Sequence, residues 1–289
     1  MKDKDTFFSN KNYIRCRGEL IDLSSPKVMG ILNITPDSFY NGGRYTTREA
    51  IFKRIEKLAS EGADFIDIGG YSSRPGAKHI ESEEEIRRLD LGLKIVKKKF
   101  PDILISVDTF RSEVAEFAVK EYGVDLINDI SAGETDPKMF ETIALWNIPY
   151  IMMHMKGTPQ NMQKNPEYKD VMKELIMFFS GKVNSAKQDG IIDIIIDPGF
   201  GFGKTLNHNY TILNHLDDLK ILGLPIMIGL SRKSMIYKLL QINPEEALNG
   251  TSILNTLALE KGANIIRVHD VKEARQAISL INATIKNHN

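Results

Sequence analysis

Cysteine is almost missing: Cys16 stands alone in 289 residues, which excludes an internal disulfide and any thiolate metal cluster. A reducing compartment is the simplest home for such a chain. Neither charge is in surplus, with 38 Lys plus Arg against 38 Asp plus Glu. Dedicated binders of nucleic acid or anionic membrane need a basic excess to displace counterions, so any anion here must be held by a local cluster. No stretch approaches the roughly 18 apolar residues of a membrane span. Met1 to Leu20 is charged and lacks the apolar core of a secretion signal, so the expected location is cytoplasmic. The six histidines show no His-Glu-x-x-His spacing, which leaves zinc unsupported. No Gly-x-Ser-x-Gly elbow supports a serine hydrolase.

What is present is an ordinary soluble composition, 42% apolar and 26% charged, and one recurring pattern. From Lys27 onward, short apolar runs alternate with amphipathic helical segments. The runs are Val28 to Leu32, Phe65 to Ile68, Ile103 to Val107, Leu126 to Ile127, Tyr150 to Met153, Ile192 to Ile196, Ile226 to Leu230 and Ile265 to Val268. Helices are expected near 48–60, 83–99, 112–122, 137–146 (with Pro137 in its first turn), 168–188, 209–219, 233–240 with 245–261, and 271–286. Continuous apolar strands suit a parallel sheet covered on both faces. Eight such units favour an α/β fold of the (β/α)₈ TIM-barrel type over a doubly wound open sheet. No linker divides residues 27–289, which read as a single domain; residues 1–26 read as a cap or hairpin over the barrel's bottom.

Active sites of such barrels lie where the strands end. The strand ends here are Asn33, Gly69-Gly70, Asp108, Asn128-Asp129, Met153-His154, Asp197, Ser231-Arg232-Lys233 and Arg267-Val268-His269. Any one of these polar ends alone reads as a helix cap; converging on one rim they read as a site. Asp108, Asp197 and Asn128 supply acceptors and an amide suited to the edge of a flat heterocycle bearing N–H donors, with Lys233 as a donor to a ring carbonyl. Arg267 and His269, two apart on one strand, point the same way and with Asn33 make an anion pocket suited to phosphate. The alternative is that they pair with Asp270 or Asp197 to neutralise buried charge.

The segment Pro198-Gly199-Phe200-Gly201-Phe202-Gly203-Lys204-Thr205 is one residue short of a P-loop. It reads as backbone approaching a ligand closely, with Phe200 or Phe202 giving an aromatic face and the other belonging to the core. Two loops after the first and second strands, around 35–43 and 71–77, are long enough to be lids.

Taken together, MGILNITPDSF (29–39), DIGGYSSRPGA (67–77), SVDTFR (106–111), INDISAG (127–133), MMHMKGTPQNMQ (152–163), DPGFGFGKT (197–205), GLSRKSM (229–235) and IIRVHDV (265–271) resemble the dihydropteroate synthase family from Lys27 to the end. The resemblance implies condensation of 6-hydroxymethyl-7,8-dihydropterin diphosphate with 4-aminobenzoate to 7,8-dihydropteroate and pyrophosphate. It implies a pterin pocket of Asp108, Asn128, Met153, Asp197, Gly201, Phe202 and Lys233, with Ser231 on the same rim. It also implies a diphosphate pocket of Asn33, Ser73, Arg267 and His269, with Asn33 reaching Mg²⁺. Catalytic roles fall to Asp37, Phe39, Arg74 and Asp108; the lid loops would assemble the aminobenzoate site, where sulfonamides compete. A homodimer is implied as well. Tyr71 and Ser73 stand where many relatives have Glu and Thr, and Tyr71 puts the loop's packing in question. Two alternatives remain: a methyltetrahydrofolate–corrinoid methyltransferase domain, which needs neither the Ser73-Arg74-Pro75 loop nor the Arg267/His269 pair, and a silent pterin-binding paralogue.

Overall fold

A computed structural model of the protein describes residues 12–35, 47–74, 77–159, 161–162 and 166–286. The chain begins with a hairpin of β1 (Tyr13–Cys16) and β2 (Glu19–Asp22). Eight parallel strands follow: β3 (Lys27–Asn33), β4 (Phe65–Gly69), β5 (Leu104–Asp108), β6 (Leu126–Asp129), β7 (Tyr150–Met153), β8 (Ile194–Asp197), β9 (Met227–Ile228) and β10 (Ile265–Val268). They are ordered β8-β7-β6-β5-β4-β3-β10-β9. A single parallel bridge, Ile196 to Ile226, joins the two ends of that order, so the barrel is nearly closed. The helices α1 (Arg48–Ser60), α2 (Ser82–Lys99), α3 (Ser112–Tyr122), α4 (Met139–Trp146), α5 (Val171–Gln188), α6 (Leu206–Asn214), α7 (Ser234–Leu240), α8 (Leu248–Glu260) and α9 (Val271–Lys286) surround it. None of the described helices is long and apolar enough to cross a membrane.

The alternation of strand side chains separates two cores. Val28, Leu32, Ile66, Ile68, Ile105, Val107, Ile127 and Ile266 face the helices. Met29, Phe65, Leu126, Ile151, Ile195, Met227 and Ile265 fill the lower lumen, where Ile14, Cys16 and Leu23 from the hairpin pack onto them. Arg17 fastens the hairpin, donating to both carboxylate oxygens of Asp125 at 2.8 and 2.9 Å. The lumen is therefore plugged at the bottom, and only the opposite rim is open for chemistry.

Several boundaries differ from those expected, for local reasons. The sixth helix starts earlier, at Leu206, because Thr205 and His208 form a reciprocal capping box. It stops at Asn214, and residues Leu216–Leu222 form a 3₁₀ turn instead. The helix expected from 137 begins at Met139, leaving Pro137 ahead of it. The helix expected from 168 begins at Val171, where the Asp170 side chain accepts from the amides of Met172 and Lys173.

Candidate active site

Two residues above the apolar floor the lumen turns polar. Asp67, fully buried, accepts from Ser106 Oγ at 2.5 Å, Asn128 Nδ2 at 3.1 Å and Arg267 Nε at 2.6 Å. Arg267 Nη2 continues to Asp108 Oδ2 at 2.7 Å. The expected alternative for Arg267, pairing with Asp270 or Asp197, is thus corrected: its partners are Asp67 and Asp108. Sequence reading passed over Asp67 as a site residue, although it lies two before Gly69 and so shares that strand end's face. Burial pushes the Asp108 carboxyl up to about 7 despite the pull of Arg267.

Gly69 sits between Asn33 and Asp108 in the strand register. A Cβ there would lie 3.3 Å from Asn33 Oδ1 and 3.8 Å from Asp108 Oδ2, so the glycine keeps open a small cradle with an oxygen on either side.

The glycine loop after β8 forms the next wall. Gly199, Gly201 and Gly203 all have positive φ, between 62° and 80°, and the Asp197 Oδ1 accepts from the Gly199 amide at 2.7 Å. Phe200 is the core member of the phenylalanine pair and is fully buried. Phe202 packs at the edge of an apolar patch on the rim, made by Phe110, Ile130, Met153, Met155 and Met162. Lys233 Nζ donates to the Phe200 carbonyl and lies 4.6 Å from the Phe202 ring centroid. Burial drives the Lys233 amine down to about 8, opposed by Asp197, and raises the Asp197 carboxyl, opposed chiefly by Lys233. A Cβ on Gly199 would fall 2.0 Å from the His154 carbonyl oxygen. Gly199→Ala is expected to cost about 2 kcal/mol or more, read as a lower urea midpoint; a wild-type midpoint would show that the loop shifts freely.

On the opposite side, His269 Nδ1 lies 3.0 Å from Ser231 Oγ, and its carbonyl accepts from Arg54 of α1 at 2.8 Å. Burial, helped by Arg54 and other guanidinium groups, holds the imidazole down at about 3. His269 therefore serves the anion pocket as a neutral hydrogen-bonding group, and the positive charge there belongs to its arginine neighbours. Asp270, offered as a partner for His269, instead pairs with Arg232 at 2.9 and 3.0 Å. Arg232 has φ 54°, a strained value for a residue with a side chain. That turn lets Ser231 meet His269 while Lys233 meets the glycine loop. The buried Arg54, four residues from Leu58 and three from Ile51 on α1's core face, is a further residue that a charge on an apolar helix face could have flagged.

The remaining expected residues divide. Met153 lies on the rim patch. Asn128 donates one amide hydrogen to Asp67. Ser73 and Arg74 are partly buried on the loop after β4. Asp37 and Phe39, like Pro75 and Gly76, lie outside the described residues. Asp129 and His154 turn away from the lumen: Asp129 accepts from Tyr150 Oη at 2.5 Å and from the Ser131 amide at 2.7 Å, as a local cap. Tyr71 is well packed, its ring edge-on to Phe110 at 5.0 Å and 5.3 Å from the Arg111 guanidinium. Arg111 is anchored to the buried Glu85 at 2.7 Å.

The rim thus brings Phe202, Lys233 and the carboxylates Asp108 and Asp197 together, with Arg267 bonded to Asp108 beside them. Comparison with known proteins shows the family. The sequence pattern of the pterin binding enzyme family matches residues 29–269. The dihydropteroate synthase of Escherichia coli is 41% identical over 93% of this chain and 95% of its own. That of Haemophilus influenzae is 40% identical over 91% and 96%. Among solved structures, the Yersinia pestis dihydropteroate synthase with a sulfonamide drug superposes with a TM-score of 0.90 at 40% identity, covering 95% of this chain and 99% of its own. The Xanthomonas albilineans enzyme with 4-aminobenzoic acid superposes with a TM-score of 0.86 at 39% identity, covering 94% and 98%.

Proposed function

The chain belongs to the dihydropteroate synthase family of pterin-binding enzymes, and on that premise we propose how its rim carries out the family's reaction. The enzyme condenses 6-hydroxymethyl-7,8-dihydropterin diphosphate with 4-aminobenzoate, releasing pyrophosphate. The observation that carries the residue assignment is the meeting of Asp108, Asp197, Lys233 and Phe202 with Arg267 at one rim, which we read as a slot for a flat ring. The pterin ring enters the slot: Asp197 accepts from its N–H edge, Lys233 donates to its carbonyl, and Phe202 and Met153 contact its faces. Arg267, His269, Ser231 and Ser73 receive the diphosphate, where charge-assisted hydrogen bonds contribute about 1.5–3 kcal/mol each.

The cradle at Gly69 presents oxygens of Asn33 and Asp108, a donor set that fits a hard cation which keeps most of its water and phosphate ligands. Mg²⁺ held there by Asn33 would supply charge to the leaving diphosphate. The chain's own groups do the rest. Breaking the carbon–oxygen bond first leaves a pterin-stabilised cation, and Asp108 and Asp197 place negative charge beside it. No enzyme nucleophile is required, because the arylamine is a competent nucleophile once oriented and shielded from water. The loops carrying Asp37, Phe39 and Arg74 form the aminobenzoate site, where a sulfonamide would compete.

The lone cysteine is in keeping with the cytoplasm. The exposed Leu239 and Leu240 on α7, with Ile253 and Leu257 on α8, provide an apolar face for a homodimer. The decisive assay mixes the protein with dihydropterin diphosphate, 4-aminobenzoate and Mg²⁺. Pyrophosphate should be released, with sulfonamide raising the apparent KM for 4-aminobenzoate and chelation of Mg²⁺ slowing turnover. Absence of pyrophosphate under all conditions would point to a silent paralogue.

A further inference from the structure

The glycine loop hides a lysine that the reaction, as assigned above, does not use. Lys204 is 3% exposed and His154 7%. Lys204 Nζ makes three hydrogen bonds: to His154 Nδ1 at 3.0 Å, the His154 carbonyl at 3.2 Å and the Phe202 carbonyl at 3.0 Å. Two of the acceptors are carbonyls that can only accept, and an ammonium has one hydrogen for each of the three partners. A charged Lys204 facing a neutral imidazole with its proton on Nε2 satisfies all three contacts.

All three acceptors are uncharged, so the amine is not there to form a direct ion pair with a carboxylate. A buried charge needs compensation, and the carboxylate that acts on Lys204 is Asp197. The two are held in relation by the loop between them. The His154 amide donates to the Asp197 carbonyl at 3.0 Å, the Gly199 amide donates to its carboxylate, and Tyr168 Oη donates to the Gly203 carbonyl at 2.8 Å. Burial works against the charge on each partner, lowering the Lys204 amine to about 7 and raising Asp197.

We propose that Lys204 is a positioning residue for pterin recognition: from behind the glycine loop it keeps Asp197 ionised and fixes the Phe202 backbone, so that carboxylate and aromatic face meet the ring together. The inference rests on the reading that Asp197 receives the pterin. The groups facing Asp197 are Lys233 from the loop before α7, Arg267 from β10 and Lys204 from its own loop. Asp108 of β5 faces Lys233 and Arg267 in turn, and His208 of α6 faces Lys204. Lys233 and Arg267 would touch substrate, whereas Lys204 would contribute charge without contact. Removing that charge raises the pH at which Asp197 takes up a proton and ceases to accept from two N–H groups.

The test is calorimetric binding of 6-hydroxymethyl-7,8-dihydropterin diphosphate, without 4-aminobenzoate, from pH 5 to 9. Lys204→Met should move the acidic limb of affinity up by about one pH unit. Lys204→Gln, which keeps a donor and loses the charge, should do the same and serves if the methionine variant does not fold. Tyr168→Phe loosens the same loop through Gly203 while leaving the charge, and its limb should stay at the wild-type pH. A wild-type limb in both Lys204 variants overturns the proposal, as does an equal shift in Tyr168→Phe. Asp197→Asn separates this from the underlying assignment: if that variant binds as wild type, the pocket reading fails; if it binds weakly while the Lys204 variants do not shift, only the role of Lys204 fails.

Discussion

Arg267→Met is expected to destabilise the fold by about 3 kcal/mol or more, and to lower kcat/KM by roughly 100-fold. The guanidinium bridges two carboxylates, Asp67 and Asp108, at 2.6 and 2.7 Å, and Asp67 has no exposed surface. Methionine matches the volume but leaves both negative charges in the lumen with only Ser106 and Asn128 donating to Asp67. The sign of the pH dependence follows. Burial already raises the Asp108 carboxyl, and losing the opposing arginine raises it further, so its penalty is fully present at high pH and relieved as pH falls and it takes up a proton. Urea unfolding of wild type and variant at pH 5 and pH 8 should therefore show a larger gap at pH 8. Equal midpoints at pH 8 would mean that the triad is not what holds the lumen. Arg267→Lys should recover part of the stability only, since one ammonium cannot reproduce the two-pronged geometry.

Asp197→Asn should leave the fold in place and weaken affinity for dihydropterin diphosphate by about 100-fold, equivalent to about 3 kcal/mol. The amide oxygen can still accept from Gly199, 2.7 Å away in the wild type, so the loop keeps its shape. The amide nitrogen, however, turns a second donor toward the donor edge of the ring. Lys233 also loses the opposing charge that sustains its amine near 8, so residual binding should fall as pH rises through a lower value than in wild type. Calorimetry reads both effects. Undiminished affinity would make Asp197 a cap for the Gly199 turn and nothing more.

Both expectations depend on features that are unequally visible in the primary structure. The strands announced themselves as apolar runs, and the polar residues ending them were legible because a parallel barrel puts every such end on one rim. Asp108, Asp197, Lys233 and Arg267 were found that way. What could not be read was who pairs with whom. Asp67 and Arg267 are 200 residues apart and meet only because β3, between their strands, brings them across one narrow lumen. The state of His269 is hidden for a related reason: burial lowers its imidazole, helped by Arg54 from the helix that follows β3. The seventh barrel strand is shorter than expected: the Ile226 amide donates to the Asn264 side chain at 2.9 Å in place of a ladder partner, and the Arg232 turn follows closely. In sequence Lys204 belongs only to a motif one residue short of a P-loop; its burial comes from the fold, which brings His154 after β7 and Tyr168 before α5 against the glycine loop.

The seam between β8 and β9 adds a mechanical side to recognition. There the wall is joined by the bridge of Ile196 and Ile226, with the Ile196 amide reaching the Pro225 carbonyl at 3.0 Å. Asp197 stands immediately beyond one lip of that seam and Lys233 beyond the other. A ring gripped by both would bridge the thinnest part of the wall, so that binding ties together two strands the sheet itself joins at a single point.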